Sequence, residues 1–127
     1  MAKQKLEDAF HTAVDLFNHC RYEELGGMCD PDVIMKKVDD AGSIVGIGNL
    51  VVYLNTQQKV QEPKFSYHTE HRIESKDVGI VSGKGEYFDG TATKRTIEIN
   101  YSFVFTKDPE DENWSLINAF AVPSKDI

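Results

Sequence analysis

The longest alternation of apolar and polar positions in the chain runs from Thr93 to Thr106, TKRTIEINYSFVFT. Ile97, Ile99, Tyr101, Phe103 and Phe105 fall on one side, and Glu98, Asn100, Ser102 and Val104 on the other. This period of two predicts a strand with one buried face. A different period governs Gln4 to His19, where Leu6, Ala9, Phe10, Ala13, Val14 and Phe17 recur at spacings of three and four. That spacing predicts a helix with one buried stripe. Arg21 to Met28 predicts a short second helix closed by Gly26 and Gly27, and Asp30-Pro31-Asp32 then breaks it.

Beyond the break, Val33 to Val38 and Ser43 to Gly46 read as a hairpin turning at Asp39-Asp40-Ala41-Gly42. Asn49 to Gln57 predicts a third helix from Leu50, Val51, Tyr53 and Leu54. Lys64 to Ile73, Val78 to Phe88, Thr93 to Thr106 and Trp114 to Val122 then read as four strands. The turn formers Ser75-Lys76-Asp77, Asp89-Gly90-Thr91 and Asp108 to Asn113 separate them. Strands joined this tightly pair antiparallel. The fold class expected is α+β, with three N-terminal helices packed on one face of a strongly curved, mixed, mainly antiparallel sheet.

With 127 residues, 40% of them hydrophobic and 28% charged, the chain suits one soluble domain spanning residues 1–127. The opening MAKQKLEDAF lacks the apolar core of a signal peptide, so a cytoplasmic location is the default expectation. A net charge of −7, with basic residues scattered along the chain, argues against nucleic acid as a partner, and nothing points to a membrane. Cys20 and Cys29 read as small buried thiols and not as a bridge. His68 and His71, three apart in one strand, point to opposite faces and cannot share a metal ion. Gly46-x-Gly48 lacks the third glycine of a dinucleotide fingerprint and reads as a turn, and the acidic stretch Asp108 to Glu112 reads as a solvated loop. No metal and no cofactor are expected.

Four segments carry a family resemblance: Asn18-His19-Cys20-Arg21-Tyr22-Glu23, Cys29-Asp30-Pro31-Asp32-Val33, Gly46-Ile47-Gly48 and Trp114-Ser115-Leu116-Ile117. In the order of elements around them, the chain resembles the nuclear transport factor 2-like superfamily, the cystatin-like cone fold shared with ketosteroid isomerases and SnoaL-like polyketide cyclases. Asp-Pro-Asp-Val and Tyr87-Phe88-Asp89-Gly90 are also similar to the association domain of calcium/calmodulin-dependent kinase II, which assembles and does no chemistry. The resemblance implies either a pocket that binds or transforms a small apolar molecule bearing a carbonyl or hydroxyl group, or a noncatalytic oligomerisation domain. Whether the protein is an enzyme stays open. The places of the isomerase catalytic groups hold Ala13, Lys37 and Tyr101, so that catalytic set is absent.

Such a pocket lies between the sheet and the helices, and strand parity then names its lining. Tyr101, Phe103, Leu116, Asn118 and Phe120 face it from the last two strands, Phe65, Tyr67, Thr69 and His71 from the first strand of the meander, and Val81, Gly83, Gly85 and Tyr87 from the next. The ligand-binding candidates are Tyr101, Asn118, His71, Tyr67, Tyr87, Phe103, Phe120, Phe17 and Lys37. His71 is the candidate general acid or base, with Tyr101 and Asn118 donating to a carbonyl or enolate oxygen. Gly83 and Gly85 are expected to leave room inside. The outer face, with Ser66, His68, Glu70, Arg72, Lys84, Glu86, Glu98 and Ala119, suits a homodimer held by charge pairs among Glu70, Arg72, Lys84 and Glu98.

Overall fold

The computed structural model describes residues 4–36, 42–56, 63–88 and 96–124. Its elements follow in the order α1 (Leu6–Asn18), α2 (Tyr22–Gly27), β1 (Cys29–Lys36), β2 (Ser43–Val45), α3 (Ile47–Thr56), β3 (Lys64–Tyr67), β4 (His71–Glu74), β5 (Val78–Phe88), β6 (Thr96–Lys107) and β7 (Trp114–Pro123). Three helices thus pack on a mixed seven-stranded sheet, ordered β2-β1-β7-β6-β5-β3 with β4 also paired to β5. Lys37, Val38, the turns at Asp39 to Ala41 and at Asp89 to Thr91, and Thr93 to Arg95 lie outside the described residues.

The stripe of α1 buries Leu6, Ala9, Phe10, Ala13 and Val14, as its spacing predicts. Cys20, at φ 58°, turns the chain from α1 into α2. Gly26 and Gly27 close α2 without a left-handed turn. Gly26 instead allows close packing, since a Cβ there would lie 2.9 Å from Val51 Cγ2 of α3. β1 starts at Cys29, four residues earlier than predicted. Its parallel pairing with β7 is irregular between Cys29 and Ile34, and Pro31, which cannot donate to a ladder, falls in that gap.

Two one-residue irregularities alter the faces of the sheet. In the β6–β7 ladder Phe105 pairs with Leu116 but Val104 with Asn118, so Ile117 is an extra residue. Beyond it, Ala119 and Ala121 join Phe103 and Tyr101 on the helix side, and Asn118 turns outward. The second irregularity divides the expected strand Lys64 to Ile73. Tyr67 pairs with Gly85 and His71 with Ser82, leaving three residues opposite two. Phe65 and Tyr67 therefore face the helices, whereas in β4 it is Arg72 and Glu74 that do so. The meander accordingly has five strands, not four.

Gly83 and Gly85 accommodate this break. A Cβ on Gly83 would lie 2.1 Å from the Thr69 carbonyl oxygen, and one on Gly85 2.2 Å from that of Ser66. The space expected at these glycines is filled by backbone. Thr69 is fixed there by Lys84 N–H donating to its Oγ1 at 2.8 Å and by Tyr101 Oη donating to its carbonyl at 2.7 Å. Asn18 secures the other edge of β3, donating from Nδ2 to the Phe65 carbonyl and accepting the Phe65 N–H, each at 2.8 Å.

Candidate functional site

The core is packed unevenly. Toward β3 and β6, Phe10 stacks on Tyr101 with centroids 5.6 Å apart, and Phe65 meets Tyr101 and Phe103 at 5.3 and 5.7 Å. These rings fill the space between α1 and the sheet. Behind Phe65 and Phe103 the side chains stop meeting, and a cavity of about 110 Å³ remains. Ala13, Val14 and Phe17 wall it from α1, Leu25 from α2, and Leu50, Tyr53 and Leu54 from α3. Val33, Met35, Tyr87, Ile99, Leu116, Ala119 and Ala121 close it from the strands. The alanines at 13, 119 and 121 are where facing side chains are too short to touch.

Tyr53 and Tyr87 carry the hydroxyls among the described lining residues; the rest offer hydrocarbon or a thioether, with no carboxylate, imidazole or ammonium. Such a wall favours an apolar occupant, and a phenol can orient one oxygen on it.

Of the nine ligand-binding candidates, Phe17, Tyr87, Phe103 and Phe120 line the cavity, as do Phe65 and Leu116, which strand parity also names. Phe120 does so at its edge: the residue is 43% exposed, and Lys36 Nζ stands 5.9 Å from the ring centroid. Tyr101 is buried in the aromatic cluster, its hydroxyl committed to Thr69. Burial, with Glu70 and Tyr67 adding to it, pushes its phenol up to about 12. Tyr67 is 36% exposed, stacked on His11 at 5.7 Å, outside the cavity. His71 is exposed on β4 with its side chain directed away from the helices, because the break before it reverses parity. Asn118 is on the outer face for the equivalent reason at Ile117. Lys37 lies outside the described residues. The structure thus gathers four of the nine candidates at the cavity and places Tyr101, Tyr67, His71 and Asn118 elsewhere.

Parity along strands says nothing of the helical wall, so Tyr53 was not among the candidates. Its signal was present in the Leu50, Tyr53, Leu54 spacing of α3.

A second group of polar side chains joins α1 to β4. His11 Nε2 lies 2.8 Å from Glu70 Oε1, and Arg72 bonds Glu70 at 3.2 Å and also Glu7. The Arg72 guanidinium holds the Glu7 carboxyl below its usual range. Glu70 and Arg72, expected on the outer face, are thus turned toward α1 by the strand break. Among the described residues no three His, Cys, Asp or Glu side chains converge as a metal site, and no helix is long and apolar enough to cross a membrane. Both cysteines are free thiols, and burial raises that of Cys29 to about 11.

Three helices against one face of a mixed sheet, with an apolar hollow between them, define an α+β fold of the nuclear transport factor 2-like type. Solved structures of that type superpose on nearly the whole chain. The calcium/calmodulin-dependent kinase II hub of S. rosetta shares 13% identity over 94% of this chain and 94% of its own, with a TM-score of 0.77. A nuclear transport factor 2-like protein with a cystatin-like fold from Novosphingobium aromaticivorans shares 10% over 92% of this chain and 78% of its own, at 0.73. A proposed dehydratase of the nuclear transport factor 2-like family from Streptomyces avermitilis shares 14% over 93% and 92%, at 0.75. No family profile and no curated protein matches the sequence. What these structures share with the chain is the fold.

Proposed function

We propose that this chain, as a single cone-shaped domain, binds a small apolar molecule carrying one carbonyl or hydroxyl group in the cavity between its helices and its sheet. The observation that supports this is the cavity of about 110 Å³ with its apolar wall and two phenols. Empty apolar cavities of roughly 150 Å³ accept benzene, so the occupant here is at most about one six-membered ring or a short branched chain. A polycyclic substrate does not fit without the helices parting. With neither an acid nor an imidazole among the described lining residues, the wall suits binding and orientation more than proton transfer.

Thermal unfolding in the presence of cyclohexanone, benzyl alcohol and cyclohexane tests it. Ligand at about 100 times its dissociation constant stabilises the folded state by about 2.7 kcal/mol. The oxygenated probes should raise the melting temperature more than cyclohexane, Tyr87→Phe and Tyr53→Phe should reduce that preference, and Ala119→Leu, which fills the space, should abolish the shift. A wild-type protein indifferent to all three probes refutes the reading.

A second reading, a noncatalytic assembly domain forming a homodimer, draws support from the likeness to the kinase hub. It predicts a defined oligomer that cavity-filling substitutions leave intact.

A further inference from the structure

The two ends of the cavity differ. Phe17, Met35, Tyr53 and Tyr87 are all partly exposed, and each stands at the close of its element: Phe17, Met35 and Tyr87 are penultimate in α1, β1 and β5, and Tyr53 opens the last turn of α3. The register brings these strand ends to one side of the sheet. β1 runs parallel to β7, the end of β7 pairs with the start of β6 at Pro123 and Ile99, and the start of β6 pairs with the end of β5 at Thr96 and Phe88. Phe17 lies 6.3 Å from Tyr87, ring to ring, so α1 ends there too. One step back along each element the wall becomes buried hydrocarbon. Val14 lies a turn behind Phe17, Leu50 a turn behind Tyr53, and Val33 two residues behind Met35. Leu116, paired with Cys29 at the start of β1, closes the inner end. Among the described lining residues, both phenols and the one thioether thus belong to the mouth.

We infer that the cavity takes its ligand hydrocarbon end first, with the oxygen held at the mouth by Tyr53 and Tyr87, and that the occupant is the short hydrocarbon end of an alcohol, ether or ester longer than the cavity itself. This rests on the binding proposed above and adds to it a direction and a substrate class. At the inner end, hydrocarbon leaves water and meets only hydrocarbon, which favours it there. An oxygen at that end would lose its water and find no side chain able to donate to it, which weakens binding on the order of 10- to 100-fold. At the mouth the same oxygen accepts from a phenol and stays within reach of water. A phenol oxygen accepts as well as donates, so each tyrosine can serve a ligand while keeping a bond of its own. The volume of about 110 Å³ then limits only the part that lies inside. Whatever continues beyond the oxygen passes the rings of Phe17, Tyr53, Tyr87 and Phe120 into solvent, where nothing restricts its length.

The test is an NMR titration of the wild-type protein with three probes, followed by intermolecular Overhauser measurements on methyl-labelled protein. Benzyl alcohol is the reference. The monobenzyl ether of ethylene glycol, which lengthens it on the oxygen side, should bind within about 3-fold of it. In para-benzenedimethanol each end of the ring carries an oxygen, so one must sink to the inner end whichever way it enters. It should bind about 10- to 100-fold more weakly than benzyl alcohol. Overhauser contacts should join the ring protons of benzyl alcohol to the Val33 and Leu116 methyls, and its methylene to the methyl of Met35. Equal affinity for benzyl alcohol and para-benzenedimethanol, loss of the glycol ether, or Overhauser contacts in the opposite sense each overturns the direction of entry and leaves binding itself standing. Failure of all three probes overturns the inference, and if cyclohexanone and cyclohexane fail as well, the binding reading falls with it.

Discussion

Replacing Gly83 with alanine puts a methyl group where the chain has placed another backbone. The new Cβ would lie 2.1 Å from the Thr69 carbonyl oxygen and 2.8 Å from its carbon. Ordinary C···O contacts begin near 3.3 Å, so the segment must withdraw by about 1 Å. It cannot swing aside as a side-chain tip would. Withdrawal breaks the hydrogen bonds from Tyr101 Oη, from Lys84 N–H to Thr69 Oγ1, and from Thr69 N–H to the Lys84 carbonyl. Leaving the buried Tyr101 phenol unpartnered costs about 1–3 kcal/mol, and the other two bonds about 1 kcal/mol each. Alanine's narrower unfolded ensemble offsets about 0.4–1 kcal/mol of this. The net expectation is a loss of about 3 kcal/mol, or a melting temperature lower by roughly 10 °C for a chain of this size. Gly48→Ala is the control. A Cβ there meets nothing within 4 Å, and Gly48 lies in α3. It should stabilise by about 0.5–1 kcal/mol, because alanine loses less freedom in a helix. Urea and thermal unfolding of the two variants decide the matter. A Gly83→Ala protein within about 1 kcal/mol of wild type would refute the account of the β3–β4 break.

Tyr101→Phe removes the same hydroxyl without a steric insult, and equilibrium unfolding should show a loss of about 1–3 kcal/mol with the cavity intact. Alkali gives an independent readout: the Tyr101 phenol is raised from its ordinary 10.0 to about 12, so the unfolded chain releases this proton first. Its contribution is therefore complete below pH 10 and declines as pH rises toward 12, a dependence that a pH series should find diminished in Tyr101→Phe. Asn18→Ala frees both hydrogen bonds to the Phe65 backbone, and hydrogen exchange should report faster opening at Phe65 together with a global loss of about 2 kcal/mol.

Much of this architecture was legible in the pattern of residues. The stripe of α1 and the alternation of β6 are both strong because one face of each element is almost wholly apolar. The misplacements come from the two irregularities. In β7 the stretch Leu116 to Val122 is apolar or small on both faces apart from Asn118, so alternation carries no sign of the extra residue at Ile117. In His68-Thr69-Glu70-His71 every residue is polar, and the reversal of parity is equally silent. A one-residue slip sends every later side chain to the other face, which is why Asn118 and His71 left the expected lining and Arg72 joined α1. Gly83 and Gly85 leave side-chain space, but not to the cavity expected there. Their occupants are backbone groups of a strand segment that propensity alone reads as continuous. The cavity's helical wall depends on how α3 meets α1, which is a matter of tertiary packing.

β1 and β2 belong to the first half of the chain, yet their route into the sheet runs through β7 alone, by the parallel pairing at Cys29, Ile34 and Met35. Until Trp114–Pro123 has emerged during synthesis, that hairpin has no sheet to join, and Val33 and Met35 have no opposite wall. Pairing at so long a separation in sequence is slow, because the loop must close before any contact rewards it. The hollow therefore depends on a pairing between segments far apart in sequence, and it cannot close before β7 is there to receive β1.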